Sequence, residues 1–255
     1  MTKKPNVALF VTCLVDLYRP RVGFAAIALL ESAGCVVTVP ESQTCCGQPA
    51  YNSGDSQGTQ TIARHTIAAF ESFDYIVAPS GSCAAMLKEH YPTLFNESDG
   101  DWLARSTAMA EKVFELTSFL NDIMPIGEKQ TAPFDFGVTY HDSCSGLREL
   151  GIKKQPRKLL RDVSGVSVAE MDDTEVCCGF GGTFCVKFPD ISARMVSDKS
   201  ALVDKTGAEV LLGGDLGCLL NIGGRLDRLG SDVRVYHVAE VLAGMADTAA
   251  IGKKE

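Results

Sequence analysis

The cysteines of this 255-residue chain repeat one spacing twice. Eight of the ten form two sets: Cys13, Cys45, Cys46 and Cys83, then Cys144, Cys177, Cys178 and Cys218. In each set 31 or 32 residues lie between the first cysteine and an adjacent pair, and 36 or 39 residues lie between that pair and the last cysteine. Self-similarity at a long period indicates that a folding unit has been duplicated.

The residues around the cysteines repeat as well. Apolar, β-branched runs that are typical of buried strands end at Cys13 ("VALFVTC") and at Cys144 ("FGVTYHDSC"). A predicted helix follows each run and opens at Pro20 or Pro156, since proline suits a first helical turn. Short strands ("CVVTV", "VSVAE"), the paired cysteines, and then "DYIVAPSGSC" or "AEVLLGGDLGC" complete each copy.

This alternation of strands and helices predicts an α/β fold, a tandem duplication of two small, Rossmann-like parallel sheets covered by helices. The predicted halves are residues 1–124 and 135–255, joined by a polar, proline-containing linker at 125–134. Functional groups of parallel sheets gather at the carboxyl ends of the strands. We therefore expect the four cysteines of each half to converge at one sheet edge.

Four converging thiolates repel one another and resist burial, so a cation or a cluster is their natural partner. Iron-sulfur clusters are commonly held by four cysteine thiolates, and each half supplies four. Gly47 and Gly179, directly after the paired cysteines, allow the backbone to turn close to a bound group. The eight repeated cysteines are therefore predicted to be iron ligands of one cluster per half at most, with [4Fe-4S] as the expected type.

Other roles for these thiols stay open. Zinc is the alternative metal, although structural zinc sites usually use compact C-x2-4-C knuckles, which neither half contains. A redox switch at Cys45 and Cys46 would leave Cys13 and Cys83 unexplained. Cys35, at the start of a predicted strand, is predicted to be a buried residue that packs like a small apolar side chain.

Three further residues lie close to the repeated cysteines. Cys185 and His141 are candidate additional metal ligands; the alternatives are a buried structural thiol for Cys185 and, for His141, a histidine satisfied by its backbone neighbours. Lys187 follows the second cysteine pair and is either an exposed lysine or a contact for an anionic substrate such as a 2-hydroxy acid.

The formal charge of −8 and the pI near 5.1 disfavour nucleic acid or an anionic membrane surface as a partner. The basic group from Lys153 to Arg161 is predicted to be the solvated face of a helix. No stretch has the roughly 20 apolar residues of a membrane span, and none resembles a secretory leader. We expect a cytoplasmic protein, in which thiols stay reduced, so ten cysteines favour metal or redox chemistry.

The doubled C-x31-CCG-x35-C pattern, with the phrases "CCGFGGTF" and "KFPDIS", resembles the CCG-domain (cysteine-rich) family of iron-sulfur oxidoreductases over nearly the whole chain. Within that family it is most similar to the stand-alone, two-repeat lactate-utilization group. Relatives of the heterodisulfide reductase type close each motif with C-x-x-C, whereas this chain has Met86 and Asn221 there. The resemblance therefore implies four thiolates per half and an ordinary cubane, without disulfide reduction at the cluster.

The resemblance also implies a function. It points to the iron-sulfur subunit of an L-lactate-oxidising complex, an oxidoreductase subunit that is active only with a ferredoxin-like iron-sulfur protein and a third lactate-utilization protein. Electrons would pass from L-lactate, or a similar 2-hydroxy acid, to a partner. The chain has no flavin or nicotinamide fingerprint, so hydride transfer by this chain alone is not expected. The alternative is a binding or scaffold module in which a cluster or zinc is purely structural.

Overall fold

The computed structural model describes residues 4–126 and 133–253, and the chain divides into two compact units, Met1–Ile126 and Gly127–Glu255. Most of the predicted linker at 125–134 falls on residues 127–132, which lie outside the described residues. Each unit contains a four-stranded parallel sheet with helices between its strands. The predicted duplicated α/β fold is confirmed.

The first unit begins with a strand, and its sheet has the order β2-β1-β3-β4. Its strands are β1 (Asn6–Leu9), β2 (Val36–Thr38), β3 (Tyr75–Ala78) and β4 (Val113–Glu115). Its α-helices are α1 (Cys13–Tyr18), α2 (Pro20–Ser32), α3 (Gln48–Tyr51), α4 (Ser56–Phe70), α5 (Gly81–Ala85), α6 (Trp102–Ala110) and α7 (Leu116–Ser118). Shorter π and 3-10 turns follow α5 and α7 at Met86–His90, Tyr91–Leu94, Glu97–Asp99 and Phe119–Ile123.

The second unit repeats the plan with the sheet order β6-β5-β7-β8. Its strands are β5 (Gly137–His141), β6 (Ser167–Val168), β7 (Val210–Gly213) and β8 (Arg234–His237). Its α-helices are α8 (Cys144–Arg148), α9 (Lys154–Arg161), α10 (Phe184–Lys187), α11 (Pro189–Lys205), α12 (Leu216–Arg228) and α13 (Val238–Leu242).

The middle strands of each sheet are covered on both faces, which explains their continuous apolar sequence. In β1, Val7 is fully buried and pairs in register with Val37 of β2 and Tyr75 of β3. In β7 all four residues are buried. Since the middle strands are parallel neighbours, the loops that follow them leave from the same sheet edge, and these loops carry the first and last cysteine of each set.

The two units differ after their third strand. In the second unit α12 runs through 13 residues without interruption. In the first, the helix gives way after Ala85 to a π turn and then to a 3-10 turn that contains Pro92. Proline lacks an N–H donor and clashes with the preceding turn, so the regular helix stops there.

The longest helix, α11, has 17 residues. Within residues 4–126 and 133–253, no helix has both the length and the hydropathy of a membrane span.

Candidate metal centres in the two repeats

Cys13 begins the helix that follows β1. Thr12, directly before it, is buried and has a φ of 74°, a conformation that β-branched residues rarely adopt. Its Oγ1 accepts a 3.4 Å hydrogen bond from the N–H of Val15 and caps the helix. Strained backbone persists only where its surroundings hold it, and such positions cluster at functional sites.

Gln43 joins the loop before Cys13 to the segment before the first cysteine pair. Its Oε1 accepts a 2.9 Å hydrogen bond from the N–H of Val11, and its Nε2 donates to the carbonyl of Pro40 at 3.1 Å. The side chain therefore holds together two chain segments that are separated by 32 residues. This contact brings Cys13 near Cys45.

The last cysteine of the set is held from the other side. The N–H of Cys83 donates to Oγ of Ser80, the cap of α5, at 3.3 Å. Beyond α5, the hydroxyl of Tyr91 donates to the carbonyl of Cys46 at 2.9 Å. Tyr91 is fully buried, and burial raises the pKa of its hydroxyl, which stays protonated as a donor.

The four thiols of the first set lie in hydrogen-bonding contact in the order Cys13, Cys45, Cys46, Cys83. Hydrogen bonds from Cys13 and then Cys46 lower the pKa of the Cys45 thiol to about 2, with further help from the N–H groups of Gly47 and Cys46. Conversely, the pKa of Cys13 is raised by its hydrogen bond to Cys45 and by burial. The set therefore offers a thiolate surrounded by donors.

In the second unit an ion pair takes the place of the Gln43 contact. Arg157 of α9 binds Asp142, two residues before Cys144, through Nη1 at 2.8 Å and Nη2 at 2.9 Å. It also binds Glu170, on the segment that leads to the second cysteine pair, with distances of 2.6 and 2.8 Å. The expectation of a solvated face is wrong for Arg157, because its side chain is only 13% exposed and that of Asp142 only 1%. Exposed Lys158 fits the expectation.

Glycines bring three segments of the second unit close together. Gly179 has a φ of 80°, and a Cβ there would lie 2.9 Å from the carbonyl oxygen of Ser192 in α11. A Cβ on Gly217, next to Cys218, would lie 2.5 Å from the ring of Phe180. Side chains at both positions are therefore excluded by close packing of the cysteine-pair loop on α11 and α12.

Asn221, where related motifs have a cysteine, binds the cysteine-pair loop. Its Nδ2 donates to the carbonyl of Cys178 at 2.9 Å. In the first unit Tyr91 binds the equivalent carbonyl, that of Cys46, which is also the second cysteine of its pair. Met86, the other substituted position, is fully buried in the core.

The second set repeats the thiol contacts in the order Cys144, Cys177, Cys178, Cys218. Hydrogen bonds from Cys144 and Cys178 lower the pKa of the Cys177 thiol to about 2. The N–H of Gly179 also donates to the Cys177 sulfur at 3.4 Å. Burial and the acidic neighbour Asp215 keep the pKa of Cys218 above its ordinary value, despite its hydrogen bond with Cys178.

His141 has no counterpart in the first set. It ends β5, is 1% exposed, and has a ring nitrogen within 4.8 Å of the sulfurs of Cys178 and Cys218, which also lie within 4.8 Å of each other. Neither ring nitrogen has a hydrogen-bond partner. Burial, and then the charge of Lys199, lower the pKa of His141 to about 3, so the imidazole is neutral.

Three candidate residues remain: Cys185, Cys35 and Lys187. Cys185 donates its thiol to the carbonyl of Gly182 within its own turn, at 3.7 Å. Cys35 is buried beside β2, and burial raises the pKa of its thiol. Lys187 is exposed in α10. In the part of the chain that the structure describes, no hydrogen bond joins Cys35 or Cys185 to the repeated thiols.

A cavity opens beside each set, and the two cavities differ in charge. The first, about 350 Å³, is lined by Cys13 and Cys45 and by the carboxylates of Asp16 and Glu41, with no cationic lining residue. The second, about 850 Å³, reaches Cys177. Its charged lining residues are four cations and three carboxylates: Arg148, Lys153, Lys154, Arg157, Glu170, Asp173 and Glu175.

The donor sets fit an iron-sulfur cluster. Each provides four sulfur atoms, each in contact with the next along the set, and in each two thiols are buried and two are partly exposed. Backbone N–H groups point at sulfur, as at Gly179 and Phe180 in the second set. Four sulfurs also suit zinc, but ligands drawn from three distant segments differ from a zinc knuckle.

Four residues that support the sets are absent from the sequence predictions: Gln43, Tyr91, Arg157 and Lys199. Each is far in sequence from the group it binds; Tyr91, for example, is 45 residues from Cys46. The one usable signal is that a buried position in a helix beside the cysteines carries a lysine, Lys199.

Known proteins share this arrangement. The profile of the cysteine-rich (CCG) domain matches residues 7–88 and 138–223, one match per unit. The chain is 49% identical over 237 residues to lactate utilization protein A of Anoxybacillus flavithermus, covering 93% of this chain and 98% of that protein. It is 51% identical over 240 residues to the protein of that name from an Exiguobacterium species, covering 93% and 97%.

A solved structure has the same fold. The crystal structure of a hypothetical protein from Helicobacter pylori superposes with a TM-score of 0.67 at 13% identity, covering 96% of this chain and 50% of that one. At this identity the similarity concerns the fold alone. The sequence matches go further: the chain belongs to the cysteine-rich (CCG) domain family, with two copies of the domain, and within that family to the group of lactate utilization protein A.

Proposed function

We propose that this chain acts in lactate utilization as an iron-sulfur subunit that relays electrons from L-lactate, or a similar 2-hydroxy acid, to a partner. The observation that carries the proposal is the presence of two equivalent four-thiol sets in a chain about 49% identical to lactate utilization protein A. When bound, an iron-sulfur cluster accepts and donates single electrons. The ligands would be Cys13, Cys45, Cys46 and Cys83 in one unit and Cys144, Cys177, Cys178 and Cys218 in the other.

The protein would hold each cluster with one edge toward solvent. The paired cysteines place one thiol inward and one outward, since Cys46 and Cys178 are buried whereas Cys45 and Cys177 are partly exposed. Tyr91 and Asn221 fix the orientation of the pair through its backbone. An electron can reach a partner most readily at such an exposed edge.

The cavity beside Cys177 is the place where a 2-hydroxy acid would approach. Arg157 is neutralised by Glu170, and Lys153 pairs with Glu175 at 3.8 Å. Lys154, exposed on the cavity wall, then supplies positive charge for a substrate carboxylate. The charged residues that line the first cavity are all carboxylates, so this cavity would repel such an anion.

A partner is required because oxidation of lactate to pyruvate releases two electrons and two protons, and the chain has no flavin or nicotinamide fingerprint. We propose a ferredoxin-type iron-sulfur protein, with a third lactate-utilization protein, as that partner. Exposed apolar side chains next to the second cysteine pair offer a docking surface: Val186, Phe188 and Ile191 are 80, 51 and 54% exposed.

The test is anaerobic purification of the chain, alone and co-expressed with its genomic neighbours. Iron and acid-labile sulfide are measured first, and L-lactate-dependent reduction of a dye is then assayed with and without the co-purified proteins. We expect iron and sulfide in both preparations and lactate-dependent reduction only in the complex.

Two outcomes would favour the scaffold alternative. One is zinc without sulfide, since a structural zinc has no redox step. The other is full lactate-dependent activity of the complex after Cys46→Ser and Cys178→Ser are combined. A matched control is Cys35→Ala, which removes a buried thiol outside both sets.

A further inference from the structure

The two centres have different surroundings, although their thiols repeat. Three residues before the first cysteine of each set, the first unit has Phe10 and the second has His141. Phe10 is fully buried and packs on Phe70 with 5.4 Å between ring centroids. An apolar ring in one unit is therefore replaced by an imidazole with two unpartnered nitrogens in the other.

A second difference lies on the helix after the cysteine pair. The buried positions of α4 (residues 59, 63, 66, 67 and 70) and of α11 (residues 192, 196, 199, 200 and 203) have identical spacings. This pattern aligns Thr66 with Lys199. Lys199 is fully buried, and its Nζ donates to the carbonyl of Thr174 at 3.0 Å.

Lys199 acts electrostatically on the second set. Burial is the larger effect and lowers the pKa of Lys199. The negative charge of Asp142, and then that of the thiols of Cys178, Cys218 and Cys177, favours its protonated form. Its charge in turn acts on His141. In a buried site such a charge is poorly screened by solvent.

We infer that the centre of the second unit has the more positive reduction potential of the two, because the unpartnered imidazole of His141 is placed to donate an N–H hydrogen bond to the sulfurs of a bound cluster and Lys199 places a buried positive charge beside it. Both effects stabilise the added negative charge of the reduced state, and hydrogen bonds to sulfur and local charge are known determinants of cluster potential. In the first unit Phe10 has no hydrogen-bond donor and Thr66 carries no charge. The second unit therefore holds the electron when the protein carries one.

This inference rests on the proposed iron-sulfur function, so its test isolates each centre. Cys45→Ser with Cys46→Ser leaves the second set intact, and Cys177→Ser with Cys178→Ser leaves the first. After anaerobic reconstitution with iron and sulfide, the midpoint potential of each variant is measured by a redox titration followed by electron paramagnetic resonance. We expect the second centre to be reduced at the higher potential.

Substitutions at His141 identify the cause. His141→Phe introduces the residue found at this place in the first unit. It is expected to make the midpoint potential of the second centre more negative. It is also expected to remove the weak nitrogen hyperfine coupling that pulsed electron paramagnetic resonance should detect in the unsubstituted protein. His141→Gln retains an N–H donor and is expected to keep part of the difference in midpoint potential between the two centres. This variant tests the inference even if His141→Phe folds poorly. Lys199→Met is expected to lower the same midpoint. Cys185→Ala, a second-unit control outside the set, is expected to leave it unchanged.

Equal midpoints, the reverse order, or an unchanged midpoint in His141→Phe and Lys199→Met would overturn the inference while leaving the proposed function intact. A strong nitrogen hyperfine coupling, of the size given by a nitrogen bound directly to iron, would also overturn the inference, since His141 would then be an iron ligand. If neither isolated set takes up iron and sulfide, the proposed function fails first, and the inference fails with it.

Discussion

The hydroxyl of Tyr91 donates a 2.9 Å hydrogen bond to the main-chain carbonyl of Cys46, in a region where both residues are buried. Tyr91→Phe removes the donor and leaves that carbonyl without its partner. We expect a loss of about 1–3 kcal/mol in the free energy of unfolding, the usual cost of an unsatisfied buried acceptor. Urea denaturation of the metal-free protein measures it. Tyr18→Phe is the control, since Tyr18 is 67% exposed, and equal effects of the two changes would contradict the role of Tyr91.

Arg157 neutralises a buried carboxylate, so its removal should be costly. In Arg157→Met, Asp142 loses its partner in a site where its side chain is 1% exposed. We expect a destabilisation of about 3–5 kcal/mol, the range for breaking one partner out of a buried ion pair. Lys158→Met, on the exposed face of the same helix, should change the stability by less than about 0.5 kcal/mol. A small effect of Arg157→Met would show that the pair contributes little.

The sheets were predictable and the supporting contacts were not, for a physical reason. Runs such as that ending at Cys13 show their burial directly in sequence, because a strand covered on both faces is apolar at every position. Parallel pairing then follows from the alternation with helices. Tyr91 and Asn221, by contrast, bind carbonyls 45 and 43 residues away, and a hydrogen bond to a backbone group imposes no local pattern. Within the Lys153–Arg161 segment the prediction of a solvated face is wrong only at Arg157, for a related reason: α9 turns this side chain inward onto Asp142, a partner that composition does not reveal.

Iron content should divide between the two sets. Cys45→Ser with Cys46→Ser is expected to reduce bound iron and sulfide to about half, because only one of two four-thiol sets remains. Adding Cys177→Ser and Cys178→Ser should abolish binding. Cys185→Ala and Cys35→Ala should retain the wild-type content, since neither thiol contacts a set. Loss of iron in Cys185→Ala would instead identify that thiol as a ligand.

Gly179→Ala tests the close packing of the second cysteine pair on α11. The backbone there has a φ of 80°, which strains any residue with a Cβ, and the added methyl group would lie 2.9 Å from a carbonyl oxygen. Gly207→Ala is a matched control, because its φ is 67° and nothing lies within 4 Å of its added carbon. We expect Gly207→Ala to cost about 1–2 kcal/mol, the penalty of the left-handed conformation, and Gly179→Ala to cost more and also lower iron binding. Similar costs, with iron binding retained, would mean that the loop moves freely away from α11.

The exposed apolar side chains after the second cysteine pair should matter for assembly. Val186→Lys with Ile191→Lys is expected to weaken retention of the ferredoxin-type partner in an anaerobic pull-down, without changing iron content. Leu229→Lys replaces a side chain of similar exposure at the far end of α12 from Cys218 and should have no effect. Unchanged retention in the double variant would place the docking surface elsewhere.

The separation of the ligands along the chain has a consequence for biosynthesis. In each unit the four thiols come from three segments, and the last of them follows the third strand. A nascent chain emerging from the ribosome therefore presents Cys13 and then the adjacent pair well before Cys83, so a complete binding set is absent until the third strand has paired. Domains fold largely as units during synthesis. A cluster would therefore enter each repeat only after that repeat has folded, and the first repeat would have its complete binding set while the second is still being translated.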